Sequence, residues 1–161
     1  MIRDCLAADF DAMLDVINDG AQAYKGIIPA DRWHEPYMPA EELSAEVTAG
    51  VAFRGWFDGE TNLAGVMGQQ PVQDVLLIRH AYVKTQHRRS GIGSALIEDL
   101  LHHADRPVLI GTWAAAHWAV AFYQKHDFEL VSESEKNRLL SLYWTIPERQ
   151  IHTSVVLRYR G

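Results

Sequence analysis

The sequence predicts a mixed α/β domain built around a central sheet. Apolar runs of strand length are interspersed with segments of helical period, in the order strand, two helices, three or four strands, helix, strand, helix, strand, helix, strand. A doubly wound fold would alternate strands and helices regularly, so this order favours a mixed sheet. No internal repeat, low-complexity tract or linker interrupts the 161 residues, and we expect one domain over residues 1–161.

The N-terminal third is predicted to hold one strand and two helices. A strand is expected over residues 2–6, and the helix after it ends near Asp19-Gly20. Its apolar residues recur at helical spacing: Leu6, Phe10, Met13, Leu14 and Ile17. Prolines break up the aromatic segment 21–39, because proline interrupts helices. A second helix follows, with Leu43 and Val47 as its buried stripe.

The rest of the chain is predicted to alternate between strands and helices after a hairpin. Two apolar strands, Val51–Phe57 and Leu63–Gly68, flank a turn that contains Asp58-Gly59, which is typical of a hairpin. The further elements are strand 75–83, helix Ile92–His103, strand Val108–Trp113, a helix around 118–126, strand Phe128–Ser132, helix Glu135–Tyr143 and strand Thr153–Tyr159.

Composition excludes several classes of function. A formal net charge of −6 disfavours a general nucleic-acid-binding protein, which usually carries a basic face. Cys5 is the single cysteine, so no disulfide framework or cysteine-based metal site is predicted. No stretch approaches the roughly 20 apolar residues of a membrane span, and the N-terminus lacks the order of a signal peptide. We therefore expect a cytoplasmic protein without a metal.

One stretch predicts a site for a phosphate-bearing ligand. Residues 75–97 begin as an apolar strand, turn through a basic segment with two glycines, and resume at helical period. Unpaired backbone N–H groups and the helix dipole attract phosphate at such a helix N-terminus. Gly91 and Gly93 allow close approach because they lack Cβ atoms, and Arg88 and Arg89 add positive charge.

Three known phosphate loops compete for this stretch. A dinucleotide-binding fingerprint needs a small residue where Leu96 stands, and a nucleotide-hydrolase loop needs Gly-Lys followed by Ser or Thr, which is absent. The sequence from Arg88 to Gly93 instead resembles the Arg/Gln-x-x-Gly-x-Gly/Ala pyrophosphate loop of the GNAT superfamily of acyl-CoA N-acyltransferases.

The resemblance covers nearly the whole chain. Val83 lies eight residues before Gly91, as in that family, and residues 119–128 match its helix with an aromatic-Tyr pair. Two positions depart from the family pattern: Ala116 stands where Asn is usual and Asp127 where Gly is usual. The resemblance implies a mostly antiparallel twisted sheet of six to seven strands with a splayed central pair, flanked by four or five helices.

The resemblance also implies an activity and a set of cofactor contacts. The expected reaction transfers an acetyl group from acetyl-CoA directly to a primary amine of a small molecule, amino-acid-like or another metabolite. Backbone N–H groups near Val83 would polarise the thioester carbonyl, and Tyr123 would act as general acid toward the leaving thiolate. Coenzyme A is expected to contact Tyr82, Val83, Arg88, Arg89, Ser90, Gly91, Ile92, Gly93, Ser94, Trp118 and Tyr123.

The general base is not identified by the resemblance. Many relatives carry Glu six residues before the strand-ending Val, and here that residue is Leu77. His80 has the right chemistry, but strand alternation would direct it away from the face of Leu77, Arg79, Ala81 and Val83, which favours a structural role. Further candidates are His34, Glu35, Asp74 and His117. Arg79 is expected either to bind an acidic substrate group or to form an internal salt bridge.

Aromatic residues in the irregular segments are candidates for the acceptor pocket. Tyr24, Trp33 and Trp144 are the main ones, together with Arg79. Further candidates are Tyr37, Tyr143, Arg149 and Gln150. The same aromatic residues are equally compatible with covering the core or with a homodimer interface. A catalytically weak CoA-binding regulatory module and an enzyme acting on a protein amine are the alternative functions; neither nucleic acid nor membrane is an expected partner.

Overall fold

A seven-stranded sheet is the centre of the fold. The computed structural model describes residues 1–146 and 148–161, without the side chains of Glu148 and Arg149. The strands are β1 (Ile2–Asp4), β2 (Ala52–Asp58), β3 (Asn62–Val72), β4 (Val75–Val83), β5 (Val108–Trp113), β6 (Phe128–Leu130) and β7 (Ser154–Tyr159). The helices are α1 (Phe10–Ala21), α2 (Ala40–Thr48), α3 (Ile92–His103), α4 (His117–Lys125), α5 (Glu133–Tyr143) and α6 (Glu148–Thr153).

The two central strands, β4 and β5, diverge from each other along part of their length. The seven strands lie in the order β1-β2-β3-β4-β5-β7-β6, and only β4 and β5 pair in parallel. That pairing is limited to Leu76–Ile78 of β4 against Val108–Ile110 of β5. Beyond it, β4 pairs only with β3 and β5 only with β7, so the two strands diverge. The predicted mixed α/β fold with a mostly antiparallel sheet is confirmed.

Most predicted elements are present, with small differences at their ends. The helix Ile92–His103 and the strand Val108–Trp113 have the predicted bounds. Helix α5 begins two residues earlier than predicted, because the Ser132 hydroxyl caps it by accepting a hydrogen bond from the Glu135 N–H. The short helix α6 was not predicted. None of the helices in residues 1–146 and 148–161 is long and apolar enough to cross a membrane.

Three apolar clusters cover the sheet. Helices α3 and α4 pack on one cluster, α1 and α2 on a second, and α5 on a third. In α2, Leu43 is fully buried as predicted, but Val47 is 44% exposed, so the predicted stripe is wrong at that position. The helix is rotated so that Leu43 and Glu46, which are three residues apart, face inward together.

An irregularity in β4 reverses the alternation of its side chains. Three residues of β3, Val66 to Gly68, face four residues of β4, Arg79 to Tyr82, and His80 adopts a positive φ of 54°. Leu76 and Ile78 therefore contact the same cluster as Ala81 and Val83, whereas Leu77 lies in a different one. The prediction that Leu77, Ala81 and Val83 share a face is wrong, because it assumed a regular strand.

Candidate active site

The divergence of β4 and β5 produces a cleft of about 920 Å³. Its floor comes from the ends of the two strands, around Ala81 on β4 and Thr112 on β5. The start of α3, the inner side of α4 and residues near Tyr24 and Tyr37 form its walls, and the Tyr24 ring lies 5.3 Å from that of Trp118 on α4. A cleft of this size, lined by apolar and aromatic residues together with charged and polar ones, is suited to a small-molecule substrate and a cofactor.

The start of α3 is a candidate anion site built from backbone. Gly91 precedes the helix with φ of 84°, a left-handed conformation that glycine adopts without strain. Ile92, Gly93 and Ser94 occupy the first turn, where N–H groups have no carbonyl partner within the helix, and all three line the cleft. Their donors and the helix dipole together favour a bound phosphate.

The loop before α3 is fastened to α1. The Thr85 N–H donates to the Asp19 carboxylate at 2.6 Å, and the Lys84 ammonium lies 3.2 Å from Asp15. Arg88 donates to the Gly20 carbonyl at 3.3 Å and lines the cleft with Arg89. These contacts hold the basic residues beside the unpaired N–H groups of the helix.

Tyr123 lies on α4 with its ring in the core. It is 5% exposed and contacts Phe122 and Phe128 edge-on, at centroid distances of 5.1 and 5.5 Å. The residue also lines the cleft. Burial raises the pKa of its phenol, so the group stays protonated at neutral pH and can donate a proton or a hydrogen bond. Trp118, one turn earlier on α4, is 44% exposed at the rim.

Tyrosines near the cleft connect the two diverging strands. The Tyr37 phenol makes polar contacts with the Tyr82 phenol on β4 and the Trp113 indole on β5. Tyr24 makes a polar contact with Thr112 on β5, and its ring meets Tyr82 edge-on at 6.2 Å. Burial raises the pKa of each of these three phenols. The wall near Tyr24 and Tyr37 is therefore aromatic, polar and uncharged.

Charged groups meet behind the floor of the cleft. Glu46 of α2 places Oε1 2.7 Å from Nη2 of Arg79 and Oε2 2.5 Å from Nε2 of His80. Arg79 also donates to Oε1 of Gln70 at 3.0 Å. Burial alone would raise the pKa of Glu46, but the hydrogen bond and charge of His80 and the charge of Arg79 outweigh it and lower the pKa. The internal ion pair that the sequence left open for Arg79 is present.

Many predicted site residues come together in the cleft. Those that line it are Tyr24, Tyr37, Arg79, His80, Tyr82, Val83, Arg88, Arg89, Gly91, Ile92, Gly93, Ser94, Trp118, Tyr123, Trp144 and Gln150. Within the described part of the chain, Ser90 and Trp33 are not part of the lining. The Ser90 hydroxyl donates to the His87 carbonyl, and Trp33 stacks on Tyr37 at a centroid distance of 5.5 Å. The side chain of Arg149 lies outside the described residues.

The remaining candidates for a base lie elsewhere. His34, Glu35, Asp74 and His117 do not line the cleft formed by the described residues. Asp74 instead accepts a hydrogen bond from Tyr143 at 2.6 Å. Sequence reasoning missed Glu46, Thr112 and Trp113. Glu46 follows the buried Leu43 by three residues, and that spacing on one helix face was the available indication that it faces inward.

The two departures from the family pattern have local consequences. Asp127 adopts φ of 68°, which explains why glycine suits this position and why Asp, one of the residue types that tolerate the left-handed region, replaces it. Ala116 is fully buried at the start of α4 and provides no side-chain cap. An uncapped helix start costs about 1 kcal/mol relative to Ser, Thr, Asn or Asp.

Known proteins share both the sequence pattern and the fold. Residues 18–142 match the acetyltransferase (GNAT) domain family. The PaiA N-acetyltransferase of Thermoplasma acidophilum, solved in complex with coenzyme A, superposes with a TM-score of 0.74 at 16% identity over 100% of this chain and 98% of its own. The ribosomal-protein-S18-alanine N-acetyltransferase of Escherichia coli gives 0.69 at 13% identity, over 99% and 92%.

Curated relatives match over shorter segments. N-acetyltransferase family 8 member 3 of Mus musculus is 27% identical over 104 residues, which are 53% of this chain and 46% of that protein. The Rattus norvegicus protein of the same name is 32% identical over 81 residues, 44% of this chain and 36% of its own. The alignments thus span less than half the length of these relatives.

Proposed function

The chain belongs to the GNAT acetyltransferase family, and we propose that it transfers an acetyl group from acetyl-CoA to the primary amine of a small molecule. One observation carries the proposal: the anion site at the start of α3 opens into the same cleft as the diverging ends of β4 and β5. A donor held by its pyrophosphate at α3 would extend its thioester toward the splay. An amine entering from the aromatic wall would meet the thioester there.

The donor side supplies binding and polarisation. We assign the pyrophosphate to the N–H groups from about Arg88 to Ser94, which are supported by the charge of the two arginines. The pantetheine arm would follow β4 past Tyr82 and Val83, with Trp118 and Tyr123 on its other side. Backbone N–H groups near Val83 would donate hydrogen bonds to the carbonyl oxygen as it becomes negatively charged. Coenzyme A in the structural relative from Thermoplasma acidophilum supports this assignment.

The proposed reaction combines proton transfers with the formation of a C–N bond and the cleavage of the C–S bond. The ammonium loses a proton to a base, and the free amine attacks the thioester carbon to give a tetrahedral intermediate. The C–S bond then breaks and the carbonyl reforms. Tyr123 would donate its phenolic proton to the departing thiolate. The attacking nitrogen, which carries one extra proton in the intermediate, would release that proton as the amide forms, and the Tyr123 phenolate would take it up through solvent. His80 is assigned as the base, because it is the imidazole that lines the cleft on β4.

The acceptor wall favours an amine on an apolar or aromatic body. The phenols of Tyr24, Tyr37 and Tyr82 are neutral, and Glu46 is already paired with Arg79 and His80. A second ammonium group would therefore find no free carboxylate in the described lining. Arg79 is also paired, so a substrate carboxylate would have to displace an existing partner. We propose that aryl-alkyl amines are better acceptors than amino acids or diamines.

Release of free thiol from acetyl-CoA over a panel of amines tests this function. The panel contains 2-phenylethylamine, phenylalanine, putrescine and a peptide with a free lysine, each against an amine-free control. We expect thiol release that depends on the amine and is fastest with 2-phenylethylamine. Fastest release with the peptide would support a protein acceptor instead. Binding of acetyl-CoA without amine-dependent release would favour a regulatory CoA-binding module, which the absent carboxylate at Leu77 makes the second candidate.

A cytoplasmic location and a homodimer stay predictions from the sequence. The proposed partners are acetyl-CoA and the amine.

A further inference from the structure

We propose that Glu46 is a positioning residue for the acetyl transfer: its carboxylate holds the His80 imidazole with a proton on Nε2 and leaves Nδ1 to accept the proton of the substrate ammonium. The inference deepens the proposed function and rests on it. Glu46 lies on α2, which contributes no residue to the lining of the cleft, so it would act through His80.

The contact between the two residues is close and isolated. Nε2 of His80 lies 2.5 Å from Oε2 of Glu46, and the side chains are 16% and 17% exposed. Both atoms are buried, and neither has another hydrogen-bond partner in the described structure. A buried polar atom without a partner destabilises the folded protein. The two atoms therefore depend on each other to avoid that destabilisation.

The chemistry of the pair determines which nitrogen carries the proton. An ionised carboxylate only accepts hydrogen bonds, so Nε2 of His80 must donate. The neutral imidazole then has its lone pair on Nδ1. Arg79 on the same strand keeps Glu46 ionised, because its guanidinium lies 2.7 Å from the other carboxylate oxygen. The pairing thus selects one tautomer of His80.

The imidazole is also fixed in orientation. Its ring stacks on Phe53 of β2 at a centroid distance of 6.3 Å and an interplanar angle of 23°. The positive φ of His80 at the irregularity of β4 removes it from the regular alternation and allows it to line the cleft. A base that is held by a partner and by packing loses little orientation freedom before the proton transfer.

The proton balance follows from this arrangement. An N–H bond of the substrate ammonium breaks, its electron pair stays on nitrogen for the attack, and the proton binds Nδ1 of His80. The resulting imidazolium is stabilised by Glu46 through Nε2 and returns its proton to solvent after turnover. Among the described residues, the charged and titratable groups around the pair are Arg79, which opposes the imidazolium, and the neutral phenol of Tyr37.

A purely structural role for Glu46 makes different predictions. An ion pair that only connects α2 to β4 would change the stability of the protein, and its loss would reduce the rate equally at every pH. A positioning role changes the pH dependence of the rate, because removing a negative charge makes the imidazole easier to deprotonate. The pH profile therefore separates the two roles.

The test compares Glu46→Gln with Glu41→Gln in the full chain. Glu41 lies on the same helix and is exposed, so its variant makes the same charge change away from His80. With the amine that the panel selects, we expect Glu46→Gln to lower kcat/KM roughly tenfold to a hundredfold at pH 7 and to move the acid limb of the profile about one pH unit lower. Glu41→Gln should match the wild type. An unshifted acid limb in Glu46→Gln overturns the proposal.

The tautomer can be measured without any substrate. Nitrogen-15 NMR of the histidine side chains distinguishes Nε2–H from Nδ1–H, and His80→Gln identifies the resonances that belong to His80. We expect the Nε2–H tautomer in the wild type and in Glu41→Gln, and a mixture in Glu46→Gln. An Nδ1–H tautomer in the wild type overturns the positioning role even in an active enzyme. If no amine in the panel is acetylated, the proposed acceptor fails, while this measurement still decides what Glu46 does.

Discussion

The donor side and the acceptor side of the cleft are built by different means. The proposed donor side is one continuous segment, Arg88 to Ser94. Its binding groups are backbone N–H donors, which a left-handed glycine helps to position. The acceptor side collects side chains from distant segments, among them Tyr37, Glu46 and His80. A site made of backbone depends on local conformation, whereas a site made of side chains depends on how the whole fold brings them together.

The largest expected effect is the loss of donor binding in Gly91→Glu. Gly91 has φ of 84°, and a glutamate there would add strain and place a negative charge at the proposed phosphate site. We expect the Kd for acetyl-CoA to rise at least about a hundredfold, equivalent to ~2.7 kcal/mol. Isothermal titration calorimetry with acetyl-CoA measures the change.

Gly59→Glu is the matched control for that variant. Gly59 has φ of 81°, and like Gly91 it has no heavy atom within 4 Å of an added Cβ, but it lies in the turn between β2 and β3. Both variants should lose similar stability, because both force a side chain into the left-handed region. Equal weakening of acetyl-CoA binding in the two variants would show that strain, rather than the anion site, caused the effect.

The contrast between the two sides explains what the sequence predicts well. Two glycines, two arginines and the change from strand to helical period are adjacent in the chain, so the loop and the bounds of α3 follow from local rules. The same holds for β5 and for the hairpin at Asp58-Gly59. Strand and helix order then limits the fold to a mixed sheet.

The acceptor side cannot be predicted from local sequence rules. The irregularity of β4 depends on one extra residue relative to β3, and nothing in the β4 sequence marks His80 as a residue with positive φ. Prediction from the sequence therefore assumes regular alternation of side chains across this irregularity, and the sheet face that it predicts for Leu77 is wrong. Glu46 is separated from His80 by more than thirty residues, so only the packing of α2 on the sheet reveals their contact.

Tyr123→Phe tests the point where the two sides meet. The phenol of Tyr123 is kept protonated by burial and is the proposed acid for the thiolate. We expect kcat at saturating substrates to fall roughly a hundredfold, since a general acid contributes that much or more. Tyr159→Phe is the control, because Tyr159 packs on the same Phe128 at 5.4 Å and lies outside the cleft lining. Unchanged turnover in Tyr123→Phe would remove the acid role.

Tyr37→Phe should weaken binding of the amine acceptor without weakening binding of acetyl-CoA. The variant keeps the ring and removes the phenolic oxygen that contacts Tyr82 and Trp113 across the diverging strands. A lost polar contact is worth about 0.5–1.5 kcal/mol, so we expect KM for the amine to rise about threefold to tenfold. The Kd for acetyl-CoA should stay within about twofold of the wild type. Tyr143→Phe, which loses a hydrogen bond to Asp74 away from the cleft, is the control for a general loss of stability.

The smallest effect on function is expected for Asp99→Asn. This variant tests whether acetyl-CoA binding on the donor side also depends on side chains far from the loop. Asp99 on α3 accepts hydrogen bonds from Arg54 on β2 at 2.8 and 3.1 Å and is 16% exposed. The variant should unfold with about 1–2 kcal/mol less free energy at pH 7, as chemical denaturation would measure. Asp105→Asn, whose carboxylate is 79% exposed beside Arg106, should lose little.

The pH dependence and the cofactor affinity complete that test. Arg54 lowers the pKa of Asp99 in the folded protein, so its stabilisation is present above the unfolded pKa of about 3.9 and is lost as the pH falls through the folded value. The difference between wild type and Asp99→Asn should therefore shrink below about pH 4. If the loop is positioned by its own backbone, the Kd for acetyl-CoA at pH 7 stays within about twofold. A larger rise would mean that α3 needs its anchor on β2 to present the N–H groups, and both sides of the cleft would then depend on long-range packing.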